Sequence, residues 1–224
     1  MDSYKCTSNC NFIFVDTESH FAKEINKCFN NIDNVVGLKM NVQDYKSNNK
    51  IFYVSPANSF GFMDGGVDKI YSRRMFRDVE DRVKNVITKL GRKSKLGRDY
   101  LPVGSAIIVP ADNSGQKFMI SAPTMLFPQD VTGTNNAYYA FLAVLHVIST
   151  CPLASYADIV IPGLCTGYGN ISYEESAKQI YKAYFDFHFN KAKKEQILYR
   201  DLLCYVVEPN LHEQPTCYQN TEFK

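Results

Sequence analysis

Short apolar runs alternate along the chain with longer stretches in which apolar residues recur every three or four positions, and together they predict a succession of strands and helices. Phe12-Ile13-Phe14-Val15 reads as a buried strand that stops at Asp16-Thr17. Phe21, Ile25, Cys28 and Phe29 then fall on one helical face, with Thr17 or Ser19 as the cap. Val35 to Val42 predicts a second strand, and Ile51-Phe52-Tyr53-Val54, apolar on both faces, a third. After the Gly65-Gly66 pair, Val79, Val83, Val86, Ile87 and Leu90 line one face of a long helix that ends at Gly91. Ala106 to Val109 and Lys117 to Ile120 predict two strands joined by Asp112-Asn113-Ser114-Gly115, so a hairpin forms here and the sheet is mixed. A helix over about Asn135 to Ile148 precedes the strand Ile159-Val160-Ile161, which runs into the loop Pro162 to Asn170. Ser172 and Glu175 form a capping box for the next helix, Leu202 to Val207 predicts a last strand, and about 208–224 form a polar tail. Strands and helices in alternation mean an α/β fold.

No internal repeat or low-complexity linker divides the 224 residues, so one domain is expected, with about 1–34 as a leading strand and helix. A net charge of +2 is too small for a dedicated nucleic-acid binder, and the basic segments Arg73-Arg74-Met75-Phe76-Arg77 and Arg92 to Arg98 read as a solvated helix face and an exposed loop. Nucleic acid is therefore not the expected partner. Seven cysteines without framework spacing read as reduced thiols, which fits a cytoplasmic or nuclear setting, and no apolar stretch reaches membrane-spanning length. Cys6, Cys10, His20 and Cys28 lack paired ligand spacing, so no metal site is assigned and no cofactor is called for. The oligomeric state is not readable at this level.

Two strand-to-loop-to-helix junctions carry the candidate chemistry, Val54 to Asp68 and Ile161 to Ser172. Each places glycines between a buried strand and a helix, where backbone can approach a ligand closely and free N–H groups favour an anion. One such loop alone reads as a tight turn; two at the same edge of a sheet suit a diphosphate. Neither carries the Gly-Lys-Ser/Thr ending of a P-loop or the G-x-G-x-x-G spacing of a dinucleotide fold. Asp68 falls in the first turn of the helix that follows, where the dipole stabilises an aspartate without any chemistry.

These residues resemble the macrodomain family. Ser55-Pro56-Ala57-Asn58 is similar to the family's Asn-Ala-Ala-Asn strand end, Gly65-Gly66-Val67-Asp68 to its glycine-rich segment, and Pro162-Gly163-Leu164-Cys165-Thr166-Gly167-Tyr168-Gly169 to its second phosphate loop. The likeness runs from about Val35 to about Ala183. It implies a three-layer α/β/α macrodomain fold with a mixed central sheet and a cleft for ADP-ribose, free or linked to another molecule. The implied ligand-binding residues are Asp44 at adenine, Asn58 and Tyr168 at the distal ribose, and Gly65, Gly66, Val67, Cys165, Thr166 and Gly167 at the diphosphate. Asn58 and Asp68 are the implied catalytic pair of a hydrolase, either an ADP-ribose 1''-phosphate phosphatase or a mono-ADP-ribosyl hydrolase; the alternative is a binding module without turnover. Two departures stand out. Ser72 occupies the place where some ADP-ribose-removing members carry a histidine, and Asp64 replaces the first glycine of the usual triplet.

Overall fold

A computed structural model describes residues 9–189 together with the backbone of two short strands, 204–206 and 216–217. Its elements, in chain order, are β1 (Asn11–Asp16), α1 (Ser19–Cys28), β2 (Val35–Lys39), a 3-10 turn (Val42–Asp44), β3 (Ile51–Ser55), α2 (Gly66–Ile70) running into a π-turn (Tyr71–Met75), and α3 (Val79–Leu90). The hairpin strands β4 (Ala106–Pro110) and β5 (Lys117–Ser121), α4 (Asn136–Ser149), β6 (Asp158–Pro162), α5 (Tyr173–Phe189), β7 (Cys204–Val206) and β8 (Thr216–Cys217) follow.

The strands form one sheet in the order β2-β1-β6-β3-β5-β4-β7-β8. β2, β1, β6, β3 and β5 are mutually parallel, while β4 runs against β5 as the hairpin pattern predicts. β7 lies parallel to β4 and antiparallel to β8. β1 is an interior strand, paired on both sides.

Strand side chains alternate between two cores, as a period of two requires. Phe12, Phe14, Phe52, Val54, Phe118, Ile120, Ile159 and Ile161 pack under α1, α4 and α5. Ile13, Val15, Ile51, Tyr53, Met119 and Val160 pack under the α2 segment and α3. The result is a three-layer α/β/α fold with a mixed central sheet. Burying aliphatic and aromatic side chains on both faces is what permits the parallel strands their near-continuous apolar runs.

Local chemistry sets the element ends. Gly91 takes φ +66° beyond the last turn of α3, and its N–H bonds the Thr88 carbonyl. Ser172 accepts from the Glu175 N–H at 3.2 Å, so the N-cap forms; the Glu175 carboxylate turns instead to Gln179, 2.9 Å away. α1 is not capped by Thr17 or Ser19: helical geometry begins at Ser19, and the Asp16 carboxylate accepts from the Glu18 N–H at 2.8 Å. β2 ends at Lys39 rather than Val42, because Asn41 folds its side chain onto the Gln43 N–H and starts the 3-10 turn. At the opposite end of the sheet, buried Asp158 accepts from Asn11, Asn49 and Tyr45, which anchors the connection into β3. Cys6, the outer residues of the expected strand 202–207, and the tail apart from 216–217 lie outside the described residues. Among those described, no group of acidic, histidine or cysteine side chains is arranged to hold a metal, and no helix is long and apolar enough to cross a membrane.

Candidate functional site

The sheet order dictates what gathers at one edge. The carboxyl ends of five neighbouring parallel strands lie there in the order β2, β1, β6, β3, β5, the position where open α/β sheets place ligand crevices. A cleft of about 300 Å³ runs along this row. Met40, Asn41 and Val42 line it beyond β2, Asp16 and Thr17 beyond β1, the second glycine loop beyond β6, the first beyond β3, and Thr124, Met125 and Pro128 beyond β5. The two glycine loops thus cover the middle, flanked by a more polar end and a more apolar one.

The first loop is braced from within and from behind. Asn58 accepts from the Phe60 and Phe62 N–H groups at 3.1 and 3.3 Å and donates to the Phe62 carbonyl at 2.7 Å. Ser59 bonds the Met125 carbonyl through its backbone N–H at 2.9 Å and the Leu101 N–H through its carbonyl at 2.8 Å. Met63 buries its side chain in the core, while its carbonyl accepts from Ser72 Oγ at 2.7 Å and its N–H donates to Glu80. Burial pushes the Glu80 carboxyl up, but the Lys84 ammonium, the Met63 N–H and Arg73 together hold it below the usual range. Ser72 is therefore a buried brace for the loop.

The loop then turns into α2. Gly66 adopts φ +52°, a conformation that a side chain would strain. The first N–H groups of such a turn have no partner within their own helix. Behind them Tyr71 opens the π-turn, closed by the Phe76 N–H on the Tyr71 carbonyl at 2.8 Å, and the Tyr71 hydroxyl donates to the Val54 carbonyl at 3.1 Å.

Asp68 projects from α2 onto the end of β3, where its Oδ1 accepts from Ser55 Oγ at 2.7 Å. It lines the cleft yet is only 7% exposed. Burial pushes its carboxyl up to about 7; the Ser55 hydrogen bond opposes this, and the charges of Asp64 and Glu80 add to it. A carboxyl poised near neutrality suits proton transfer at physiological pH.

The second loop needs its own departures from ordinary backbone. Cys165 and Asn170 take φ +64° and +57°. A Cβ on Gly169 would stand 2.6 Å from the Cys165 carbonyl oxygen, so only glycine lets the turn close, with the Ile171 N–H on that same oxygen at 3.0 Å. Cys165 is buried and its thiol is pushed up to about 12, which removes the thiolate a nucleophile needs. Tyr168 is 67% exposed, and its ring edge lies 3.2 Å from where a Gly65 Cβ would stand. The two loops meet at this contact.

Asn58, Gly65, Gly66, Val67, Asp68, Cys165, Thr166, Gly167 and Tyr168 all line the one cleft. Asp44 is not among the lining residues: because β2 stops early, Asp44 sits exposed in the 3-10 turn with its N–H on the Asn41 carbonyl, and Asn41 faces the cleft instead. Sequence reasoning also passed over Asp16 and Thr17, although an acidic residue closing a buried apolar run was the available signal. It passed over Met125 and Pro128, which with Phe62 give the β5 end its apolar character; Phe60 stacks on Phe127 there at 6.1 Å, and Lys84 lies 4.4 Å from the Phe62 ring centroid.

Two uncharacterised proteins are each 29% identical to the chain: one from Aquifex aeolicus over 125 residues, 56% of this chain and 67% of that protein, and one from Aeropyrum pernix over 153 residues, 68% and 72%. Among solved structures, the macrodomain of Mycobacterium tuberculosis DarG is similar at 16% identity and a TM-score of 0.48, covering 71% of this chain and 90% of that one. A mutant Oceanobacillus iheyensis macrodomain solved with ADPR is similar at 15% identity and a TM-score of 0.49, covering 72% and 78%. The family model described as Macro-like domain matches residues 13–213, most of the chain, and the protein accordingly belongs to the macro-like domain family.

Proposed function

We propose that the cleft binds ADP-ribose lengthwise and that the protein is a hydrolase of an ADP-ribose derivative, either ADP-ribose 1''-phosphate or an ADP-ribosylated molecule. The observation that carries this reading is the convergence of two glycine loops on one cleft with a buried carboxyl, Asp68, poised near neutrality between them. Backbone N–H groups at Gly66, Val67 and Gly167 would hold the diphosphate, a task for which glycine backbone and unpaired first-turn donors are suited. Asn41 and Asp16 would meet the adenine at the β2 and β1 end. The distal ribose would lie beside Asn58, Asp68 and Tyr168. The remaining N–H of the Asn58 amide can serve a ribose hydroxyl while the rest of the group braces the loop. In its ionised form Asp68 would take a proton from a water aimed at the anomeric carbon or its substituent, leaving ADP-ribose and the released phosphate or acceptor.

A second reading, a binding module without turnover, is favoured by one observation: Ser72, fixed as a loop brace, offers no imidazole to share the proton transfer. Incubation with ADP-ribose 1''-phosphate and, separately, with a mono-ADP-ribosylated protein tests the two. Release of phosphate or ADP-ribose that is lost in Asp68→Ala supports hydrolysis. Calorimetric binding of ADP-ribose without release from either substrate assigns the binding role. No binding at millimolar ADP-ribose overturns both.

A further inference from the structure

We propose that Ser55 is the positioning residue for Asp68: its hydroxyl fixes Oδ1 against the end of β3, so that Oδ2 is the oxygen presented to the cleft. This rests on the reading of Asp68 as the group that handles the proton. The family pattern has asparagine at this place, so the serine–aspartate contact belongs to this chain's own sequence. The geometry is specific. Ser55 closes β3 with its side chain on the α2 side of the sheet, 1% exposed, and its Oγ stands 2.7 Å from Asp68 Oδ1, thirteen residues on. Ser121, the residue registered beside Ser55 on β5, is equally buried, and its hydroxyl has no hydrogen-bond partner among the described residues. Of these two neighbouring buried serines, it is Ser55 whose hydroxyl is bonded to the carboxylate.

A hydroxyl donated to a carboxylate favours the ionised form, whereas burial disfavours it. The charged and titratable groups facing Asp68 are Asp64 from the first loop, Glu80 from α3 and Tyr71 from the π-turn. None supplies a positive charge, so the Ser55 hydroxyl is the local group that keeps the carboxylate accessible near neutral pH. Fixing Oδ1 also selects one side-chain orientation, which a merely space-filling residue at 55 would not do.

The test is a titration of the Asp68 carboxyl carbon by nuclear magnetic resonance in protein labelled at aspartate, with Asp68→Asn to assign the signal. Ser55→Ala should move the midpoint up by about one pH unit, the scale of one hydrogen bond to a charged group. Ser55→Cys, near in shape but a poor donor, should move it the same way, Ser55→Thr should keep it, and Ser121→Ala should leave it in place. In a turnover assay the Ala variant would then lose roughly fivefold in kcat at pH 7, with KM unchanged, and recover toward pH 9 as the carboxylate reforms. An unmoved midpoint in both Ser55→Ala and Ser55→Cys overturns the proposal, as does a loss of activity that high pH does not restore. A midpoint that moves in a protein turning over neither substrate supports the positioning of Asp68 by Ser55 and overturns only the hydrolytic reading.

Discussion

The Ser72 hydroxyl donates to the Met63 carbonyl at 2.7 Å from a position only 3% exposed. Ser72 is thus committed to holding the first glycine loop in shape. Ser72→Ala leaves a buried carbonyl without its donor and should cost about 1–3 kcal/mol. Ser72→His must force an imidazole into the same space and should cost more, without adding activity. Thermal denaturation of both variants beside ADP-ribose titration checks this; a histidine variant that matches the parent in stability and gains turnover would refute it.

Asp68 binds its proton more tightly in the folded protein than in the unfolded chain, since its carboxyl rises from 3.8 to about 7 on folding. Protons are then released on unfolding across that range, so the charge-burial penalty is absent below about pH 4 and complete above about pH 7. Asp68→Asn, which keeps an oxygen for Ser55 and carries no charge, should be more stable than the parent at pH 8, by on the order of 4 kcal/mol, and nearly equal to it at pH 4. Denaturant unfolding at the two pH values measures the difference; equal gains at both would refute the shift.

Cys165 keeps its proton at any physiological pH, because burial pushes the thiol up to about 12. Native protein treated with iodoacetamide at pH 8 should leave Cys165 unmodified, while unfolded protein should be labelled there. Peptide mass mapping reads this directly. Rapid modification in the folded state would refute this.

The second loop closes on Gly169, where an added Cβ would press on the Cys165 carbonyl at 2.6 Å. Gly169→Ala should therefore lose both stability and ligand affinity, because backbone must move. Tyr168→Ala, a change at an exposed ring, should leave the melting temperature within about a degree while weakening ADP-ribose binding, surface substitutions being worth little to stability. The contrast between these two variants separates the shape of the loop from its contacts.

How much of this was legible beforehand depended on whether a signal was local. The strand and helix cores were written in apolar periodicity, and Gly91 and Ser172 marked ends through backbone chemistry confined to neighbouring residues. The reversal of β4 followed from the Asp112 to Gly115 turn. The two glycine loops were visible because glycine and buried strands occur together in the sequence. Asp44 and Asn41 differ by three positions, and choosing which faces the cleft required knowing that an Asn41 side chain would end β2 at Lys39. The bracing of Met63 by Ser72 and Glu80 joins residues nine and seventeen positions apart through a π-turn that no pattern announces.

Among the described residues, the first of the five strands whose ends line the cleft stands at the edge of the sheet, and the fifth is followed by the reversed β4, whose carboxyl end lies at the far side of the sheet. Hydrogen-bonded strands repeat at about 4.8 Å, so this row works as a ruler of roughly 19 Å. One reversed strand thereby fixes how long a molecule can lie flat along the sheet. A longer molecule would have to leave the surface at either end.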